Sequence, residues 1–251
     1  MTRRRVTRIT VEAPVTSFRY PFFQIGRQVS YDMPPPSTIY GHVASALGEL
    51  PDPKALQFAY HFISKGRARD LEYQHVIFAG GSKFEDRGAK WPIAVQGSVQ
   101  PQERDFLFQA RLTLYLDGEE WAEIFGRPAF CVVLGRSQDL AEITCVKVCE
   151  LEAAESCYLE NTLLPFSWRP RVGWGSTVQM PRYIEPPPAR FPHFDRFVVL
   201  RERVFDSELP EIAPSRRVLR EAQERAHYWV DPKSEEIHGL RRGLIFHSCM
   251  D

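Results

Sequence analysis

The stretch "DFLFQARLTLYLDG", residues 105–118, carries the strongest secondary-structure signal in the chain. Its apolar side chains recur at every second position, as expected of a strand with one face in a core. These side chains are Phe106, Phe108, Ala110, Leu112, Leu114 and Leu116. Asp117 and Gly118 then close the run as a turn. The stretch predicts a long strand whose even-numbered residues face the hydrophobic core.

Further strands and two helices are predicted on either side of this strand. The strands lie at 7–13, 71–79 and 127–135, and the helices at 37–50 and 119–126. Together they give the order β-α-β-β-α-β, the split βαβ or ferredoxin-like arrangement, with an insertion at 80–105. We therefore predict an α+β protein with a ferredoxin-like, RRM-like domain over 1–140. Residues 141–251 are predicted to form a small C-terminal extension, rich in strand and irregular structure, with a helix at 213–230.

The RNA-recognition motif shares this fold and stacks bases on aromatic side chains of its third strand. The face that would carry them here consists of Leu107, Gln109, Arg111, Thr113 and Tyr115. The aromatic signature of that motif is absent from this face. Stacking of bases on the sheet is therefore not the predicted way of binding RNA.

Positive charge is unevenly distributed, although the chain is neutral overall, with 32 basic and 32 acidic residues among 251. Residues 1–31 contain six arginines and a single acid, and residues 163–182 contain three arginines and no acid. Residues 139–160, in contrast, contain six acids and one lysine. This pattern indicates a basic surface for phosphate and an acidic one elsewhere, or else solvated faces without a partner.

Cysteine usage and hydropathy indicate the compartment. Five cysteines, an odd number, argue against a disulfide framework and for a reducing environment. No apolar run approaches the ~20 residues of a membrane span, and the basic N-terminus does not lead into a signal-peptide segment. We therefore expect a cytoplasmic protein without a membrane partner. His247 and Cys249 lie close together, but without a second such pair no metal or other cofactor is predicted.

Three prolines precede the first predicted helix in "PPPSTIYGHVASALGEL", residues 34–50. Ser37 or Thr38 is predicted to cap the helix, whose N-terminus would then offer a seat for phosphate. The side opposite the apolar residues contains Gly41 and Gly48, and a glycine inside a helix costs about 1 kcal/mol relative to alanine. Either close packing within the chain or close approach of a foreign backbone would explain them.

The stretch "PVTSFRYPFFQIGRQVSYDMPPPSTIYGHVASALGE", residues 14–49, resembles the N-terminus of the CRISPR-associated protein five family. In that family a Ser-Phe-Arg-x-Pro element is followed by a proline run and by Ser-Thr-x-Tyr-Gly at the first helix. "GRARDLEYQH" and "VLGRSQDLAEI" are similar to later motifs of the family. "ENTLLPF", "MPRYI" and "IFHS" resemble the C-terminal part of its type I-B-like branch.

The resemblance implies a RAMP-fold subunit of a type I Cascade surveillance complex that caps the 5′ handle of the guide RNA in antiviral defence. It implies that the insertion at 80–105 is a β-hairpin thumb, which grips the guide RNA and touches the neighbouring backbone RAMP subunit. The large subunit and target DNA are further candidate partners within the complex.

The residues predicted to contact RNA are those that the resemblance places near the handle, together with other basic or polar residues near these motifs, along the insertion and in 163–182. They are Arg19, Arg27, Ser37, Thr38, Tyr40, His42, Lys65, Arg67, Lys83, Arg87, Lys90, Arg136, Ser137, Arg169 and Arg171. Replacing Arg19 or Arg136 by alanine is expected to weaken handle binding and to flatten its salt dependence.

One branch of the family cuts precursor guide RNA with a metal-independent site of Tyr, Lys and His. Such cleavage needs a base for the 2′-hydroxyl and an acid for the leaving oxygen. No histidine of this chain follows a lysine directly, although His61 lies near Lys65. Nucleotide-loop, zinc-protease and hydrolase motifs do not occur. We therefore predict a subunit without catalytic residues, with a metal-independent endoribonuclease or a pure scaffold as alternatives.

Overall fold

The computed structural model describes residues 3–22, 26–86, 89–206 and 228–250, and over 76–86 and 89–97 it describes the backbone alone. The two α-helices in these residues are α1 (Pro36–Leu47) and α2 (Trp121–Gly126). The strands before α2 are β1 (Arg3–Thr16), β2 (Arg27–Gln28), β3 (Gln57–Ile63), β4 (Gly66–Asp86) and β5 (Ala89–Asp117). The strands after α2 are β6 (Glu142–Ala154), β7 (Cys157–Leu159), β8 (Thr162–Pro165), β9 (Ser176–Ile184), β10 (Pro192–Leu200), β11 (Val204–Asp206), β12 (Tyr228–Val230), β13 (Glu236–Ile237), β14 (Leu240–Arg241), β15 (Gly243–Leu244) and β16 (His247–Ser248).

Twelve of these strands belong to one sheet, in which β15-β12-β6-β1-β5-β3-β8-β10-β9 lie side by side. The remaining three strands of this sheet lie off that path: β2 and β4 pair with β5, and β16 pairs with β3. The pairings of this sheet are antiparallel, apart from the parallel pair of β2 and β5. The predicted α+β class is confirmed, as a mostly antiparallel sheet with few helices.

The main core lies between the central strands and the two helices. Leu112 and Leu114 of β5 are fully buried, as is Ile9 of β1, which pairs with Leu114. Ile39 of α1 and Phe125 of α2 belong to the same buried cluster. The predicted alternation is therefore confirmed from Ala110 onward, where every second side chain enters this core.

The alternation fails in the first part of the quoted stretch. Gln109 has a φ of +48°, in the left-handed region that interrupts an extended strand. Beyond this irregularity the inward side changes by one position, so that Leu107 is buried and Phe108 is 37% exposed. The prediction that Phe106 and Phe108 point into the core was therefore wrong.

Two of the predicted core strands differ in the structure: one lies in a hairpin and the other does not form. The strand expected at 71–79 lies inside β4, which forms a long hairpin with β5, whereas β3 at Gln57–Ile63 pairs with β5 in the sheet. The strand predicted at 127–135 was wrong. That segment consists of bends and irregular backbone with a single bridge from Val133 to Leu140, and β6 takes the place beside β1.

The helix α1 begins earlier than predicted and has no side-chain cap. Its N-cap is Pro35, whose carbonyl accepts hydrogen bonds from the backbone N–H groups of Thr38 and Ile39. Ser37 and Thr38 thus lie within the first turn, so the predicted capping role was wrong. Proline at the start of a helix loses no helical hydrogen bond, which explains the early beginning.

The two glycines of this segment have different roles. Gly48 lies after α1 with a φ of +91° and ends the helix, and a Cβ added there would lie 3.0 Å from the Cβ of Ala129. Gly41 lies within the helix, and an added Cβ would meet no atom of the described residues within 4 Å. Packing inside the described chain therefore explains Gly48 but not Gly41.

The β4–β5 hairpin, called here the long hairpin, pairs from Gly66 and Phe108 out to Asp86 and Ala89. It contains the predicted insertion at 80–105 but begins earlier. The domain boundary placed at residue 140 stays a prediction, while the sheet itself crosses it, because β6 pairs with β1.

Most of the helix predicted at 213–230 lies outside the described residues, although its last three residues form β12. No helix in the described ranges is long and apolar enough to cross a membrane.

Candidate nucleic-acid interface

The root of the long hairpin has two faces, because side chains of paired strands alternate between them. Arg67, Arg69 and Asp105 lie on one face, since Arg69 pairs with Asp105 and Arg67 with Leu107. We call this the arginine face. Glu72 and Arg104 lie on the opposite face, which we call the glutamate face.

The arginine face is organised by one buried carboxylate. Asp105, 2% exposed, accepts hydrogen bonds from Arg67 at 2.8 Å, from Arg69 at 3.2 Å and from Arg27 of β2 at 3.3 Å. Burial alone would raise the pKa of Asp105, but hydrogen bonds from Arg67 and Arg69 hold it below its usual value. A single carboxylate thus gathers three guanidinium groups at one place.

These guanidinium groups keep access to solvent. The side chains of Arg27, Arg67 and Arg69 are 47%, 36% and 44% exposed. Asp32 and Glu103 also pair with Arg67 and Arg69 and offset part of the charge. Each guanidinium has five N–H donors, so the ion pairs leave donors available for a phosphate.

Apolar side chains continue the arginine face outward along β4. Leu71 is 52% exposed and Tyr73 is 60% exposed, and both follow Arg69 at alternate positions. Exposed aromatic rings beside arginines are typical of surfaces that bind single-stranded nucleic acid, because bases stack on the rings while cations hold the phosphates.

The glutamate face uses its arginines differently. Glu72 accepts hydrogen bonds from Arg104 at 2.5 Å and from Arg136 at 2.8 Å. Arg136 also donates to Asp139 at 2.6 and 3.0 Å, and its guanidinium lies 4.8 Å from the ring centre of Phe106. Hydrogen bonding to Asp139 raises the pKa of Arg136. With its side chain only 18% exposed, Arg136 fastens the 133–140 loop to the hairpin.

Gly135 explains how this loop reaches the hairpin. Its φ is +96°, and an added Cβ would lie 2.8 Å from the carbonyl oxygen of Ser17 and 2.5 Å from the hydroxyl of Thr16. That hydroxyl donates to the carbonyl of Leu134. The Leu-Gly-Arg-Ser element is thus a strap in which the glycine allows close approach and the arginine forms the ion pairs.

A polar cleft of about 340 Å³ opens beside the glutamate face, and Arg19 lines it together with Gln102, Gln138 and Arg136. Arg19 is exposed and forms a backbone bridge with Ser30. Of the predicted RNA-contacting residues, Arg19 therefore has the surface position that its assignment requires.

Two of the residues predicted to contact RNA, Tyr40 and His42, have buried side chains. The hydroxyl of Tyr40 donates to the carbonyl of Pro51 at 2.7 Å, and burial raises its pKa. Nδ1 of His42 lies 3.2 Å from the carbonyl oxygen of Val133, and burial lowers the pKa of this imidazole. Both side chains belong to the contacts that hold α1 in place.

The other predicted residues are scattered. Lys65 and Ser137 are exposed, and Ser37 and Thr38 are half-buried in α1. The side chains of Lys83 and Lys90 and the whole of Arg87 lie outside the described part of the chain.

Arg169 and Arg171 form contacts within the segment that follows β8. Arg169 donates to the carbonyl of Gly175 at 3.1 Å, and Arg171 pairs with Asp206 at 3.3 Å over the ring of Trp168. These contacts indicate a structural use of both arginines.

Sequence reasoning included Arg27 and Arg67 but missed Arg69, Asp105 and Tyr73. A usable signal was present, because Arg67 and Arg69 alternate in "GRARD" and must share a face if the segment is a strand. Asp105 could not be found this way, since its role depends on pairing with a strand 36 residues away. Within the described residues, no group of three or more His, Cys, Asp or Glu side chains could hold a metal ion.

The family described as "CRISPR-associated protein (Cas_Cas5)" matches this chain over residues 8–183. The protein is therefore a CRISPR-associated protein, and it belongs to this family. The match includes both faces of the hairpin root and the strap at 133–140. No curated protein matches the chain in sequence.

Some solved structures are similar to this chain. One chain of a "CRISPR RNA-guided surveillance complex" is 20% identical with a TM-score of 0.40, and the match covers 56% of this chain and 61% of that one. A chain of the Type III-B Cmr-beta complex bound to cognate target RNA is 11% identical with a TM-score of 0.47, covering 78% and 85%. A CRISPR protein from Archaeoglobus fulgidus is 11% identical with a TM-score of 0.38, covering 79% and 87%.

Proposed function

We propose that this protein is the subunit of a type I Cascade complex, of the I-B-like branch, that binds the 5′ handle of the guide RNA. The observation that carries the proposal is the arginine face, where Arg27, Arg67 and Arg69 converge on buried Asp105 and remain partly exposed. Arginines in this arrangement neutralise backbone phosphates, and Tyr73 on the same face can stack on an unpaired base. Recognition of a bent single strand needs both kinds of contact.

The partners and location belong to the same proposal. The complex would be cytoplasmic, with the backbone RAMP subunit and the large subunit as neighbours and target DNA bound by the assembly. Gly41 supports a partner on α1, because the space above it is open in the described chain and a foreign backbone could approach closely.

The order of elements supports the ferredoxin-like, RAMP assignment of the core. The strands β6-β1-β5-β3 are neighbours in this order, with α1 between β1 and β3 in sequence and α2 between β5 and β6. Each neighbouring pair is antiparallel. A split βαβ fold has this alternation of strands and helices, and the long hairpin then joins its second and third strands as a thumb.

We further propose that the protein binds guide RNA without cutting it. Tyr40, His42 and His61 are of the residue types that such a site would use, and all three are buried. Burial, followed by the charge of Arg242, lowers the pKa of His61 to about 3. A general base must titrate near the working pH, and burial moves the pKa of each of these side chains away from that range.

The test is a binding and cleavage assay in EDTA with two labelled RNAs, the mature 5′ handle and the full repeat. The variant Arg67→Gln/Arg69→Gln is expected to bind the handle at least about tenfold more weakly, with a salt slope shallower by about 0.7 for each lost contact. Arg3→Gln/Arg241→Gln is the matched control, because Arg3 is exposed, Arg241 is half-buried, and both pair with glutamates elsewhere.

Equal handle affinity and salt slope in the two double variants would overturn the assignment of the arginine face. Intact repeat RNA is expected after incubation with the wild-type protein. Cleavage at one position in EDTA would instead establish the metal-independent endoribonuclease, and substitution of exposed Tyr73 and His75 would then be the first search for its site.

A further inference from the structure

The side of the central sheet that faces away from α1 and α2 is only partly covered. At one end, Val6, Ala59 and Tyr115 pack against Leu244 of the C-terminal segment. Next to this covered area the same side of the sheet forms a cleft of about 250 Å³. This is the face on which an RNA-recognition motif would stack bases, and it lacks that motif's aromatic pattern.

The floor of the cleft is a continuous patch on three neighbouring strands. Thr113 of β5 lies opposite both Thr10 of β1 and His61 of β3, and Tyr115 lies opposite Arg8. Because cross-strand partners share a face, their side chains point to the same side of the sheet. The lining is completed by Arg111 from β5 and by Ser234, Glu235 and Arg242 from the C-terminal segment.

The charge of the lining is positive. Arg8, Arg111 and Arg242 line the cleft, against the single acid Glu235. Each arginine is oriented by one carboxylate outside this lining: Arg8 by Asp231 at 2.7 Å, Arg111 by Glu12 at 2.9 Å and Arg242 by Glu160 at 3.5 Å. Arg8 also hydrogen-bonds to Tyr115 and Arg242 to Tyr158. Arg111, with 54% of its side chain exposed, therefore keeps the most accessible guanidinium donors.

His61 provides an independent sign of an unfilled polar site. Its side chain lines the cleft and is 5% exposed, and its Nδ1 has no hydrogen-bond partner among the described residues. A buried polar atom without a partner is unfavourable, so such atoms are uncommon outside sites that receive a ligand or water. Burial, followed by the positive charge of Arg242, lowers the pKa of His61.

We propose that this cleft, called here the arginine cleft, binds a phosphate group of a nucleic-acid backbone, separately from the arginine face of the hairpin. Arg111 and Arg242 supply charge, and the hydroxyls of Thr10 and Thr113 supply further donors. The volume is below the roughly 300–1,000 Å³ of sites for drug-sized molecules, which fits one phosphate with part of its sugar. None of the residues that line the cleft belongs to the arginine face, so the cleft would be a second site.

The first experiment compares Arg111→Gln/Arg242→Gln with Arg241→Gln in fluorescence anisotropy with a labelled 12-nucleotide single-stranded RNA. The double variant is expected to bind about fivefold more weakly, with a salt slope shallower by about 0.7 per lost contact. Arg241 is the matched control, because it is the neighbour of Arg242 and pairs with Glu236 in the small β13–β14 hairpin. Unchanged affinity and slope in the double variant would overturn the proposal.

Two conservative variants distinguish a change in RNA binding from misfolding of the protein. Thr113→Val keeps the volume and removes one hydroxyl donor, and it is expected to weaken RNA binding by about twofold to threefold. Glu235→Gln removes the only acid of the lining and is expected to strengthen binding by about twofold, which misfolding cannot imitate. Weaker binding in Glu235→Gln would overturn the proposed electrostatics.

A competition arm identifies the source of the phosphate. Millimolar inorganic phosphate is expected to shift the His61 ring signals in a nitrogen–proton NMR spectrum of the wild-type protein, and RNA is expected to produce a shift at far lower concentration. If the His61 signals respond to inorganic phosphate but not to RNA, the ligand is a free anion and the proposal is overturned. Loss of RNA binding in Arg67→Gln/Arg69→Gln but not in the cleft variants would leave the proposed function standing without this second site.

Discussion

The two faces of the hairpin root use the same chemistry for different ends. On the arginine face, three guanidinium groups share Asp105 and stay 36% to 47% exposed. On the glutamate face, Arg104 and Arg136 share Glu72 and are only 13% and 18% exposed. A guanidinium that is paired and mostly buried offers less surface to a ligand, whereas a paired but more exposed one is oriented and still available. Burial rather than residue type thus separates the arginines that remain accessible to a ligand from those that are used within the fold.

The difference arises from what covers each face. The 133–140 loop packs onto the glutamate face, where Gly135 lets the backbone pass Ser17 closely and Arg136 reaches Glu72. On the arginine face, β2 contributes Arg27 at the edge but leaves the outer side of the guanidinium groups in solvent. The 133–140 loop therefore accounts for the lower exposure of Arg104 and Arg136 compared with the arginine face.

Gly135→Ala is expected to have the largest effect, because it should detach the 133–140 loop from the glutamate face. The new Cβ would force a non-glycine residue into a φ of +96° and onto the carbonyl of Ser17, at a cost of about 3 kcal/mol in the free energy of unfolding. Urea unfolding measures this. Gly41→Ala is the matched control, because its Cβ meets open space in a helix and should stabilise the protein by roughly 0.5–1 kcal/mol. Equal stability of wild type and Gly135→Ala would show that the loop is not a strap.

Arg136→Gln should lower the stability of the protein without changing its binding of the handle. Loss of its ion pairs to Glu72 and Asp139 leaves two carboxylates without this partner and should cost about 2 kcal/mol of unfolding free energy, allowing for partial exposure. The salt slope of handle binding should stay that of the wild type. This reverses the expectation from sequence, in which Arg136 was an RNA contact. A shallower slope with unchanged stability would restore that first expectation.

Asp105→Asn should show the pH dependence of the arginine face. Because the folded-state pKa of Asp105 is below its usual value, its ionised form stabilises the protein above the unfolded pKa of about 3.9. That contribution is lost as the pH falls through the folded pKa. The variant should therefore be less stable at pH 7, by about 1–2 kcal/mol, and its stability should fall less steeply than that of wild type below about pH 4. Parallel pH profiles for the two proteins would contradict the three-arginine arrangement.

Tyr73→Ala should have the smallest effect on the fold and a local effect on binding. With 60% of the residue exposed, its loss should leave the melting temperature within about 1 °C. Handle affinity should fall by about 1 kcal/mol, close to fivefold, if a base stacks on the ring. Tyr73→Phe keeps the ring and should bind as wild type does. Equal weakening in both variants would point to the hydroxyl rather than to stacking.

Sequence reasoning was successful where local pattern and burial coincide. The alternation from Ala110 to Leu116 predicted a core strand, and the structure has it in β5. The pattern misled at Phe108, because one residue at positive φ, Gln109, reverses the alternation. It also missed β3, where a nearly continuous buried run in "QFAYHFI" shows no alternation to read.

The sequence alone determined the α+β class, the core strand in β5 and, through the motifs in 14–49 and 133–143, the family of the protein. These properties depend on neighbours along the chain or on short motifs, so they can be read locally. Only the tertiary structure decided which arginines are available, because exposure depends on what packs against them. Asp105 accepts hydrogen bonds from Arg27, Arg67 and Arg69, which lie up to 78 positions away in sequence. Contacts across such distances follow from strand pairing, which no local pattern contains.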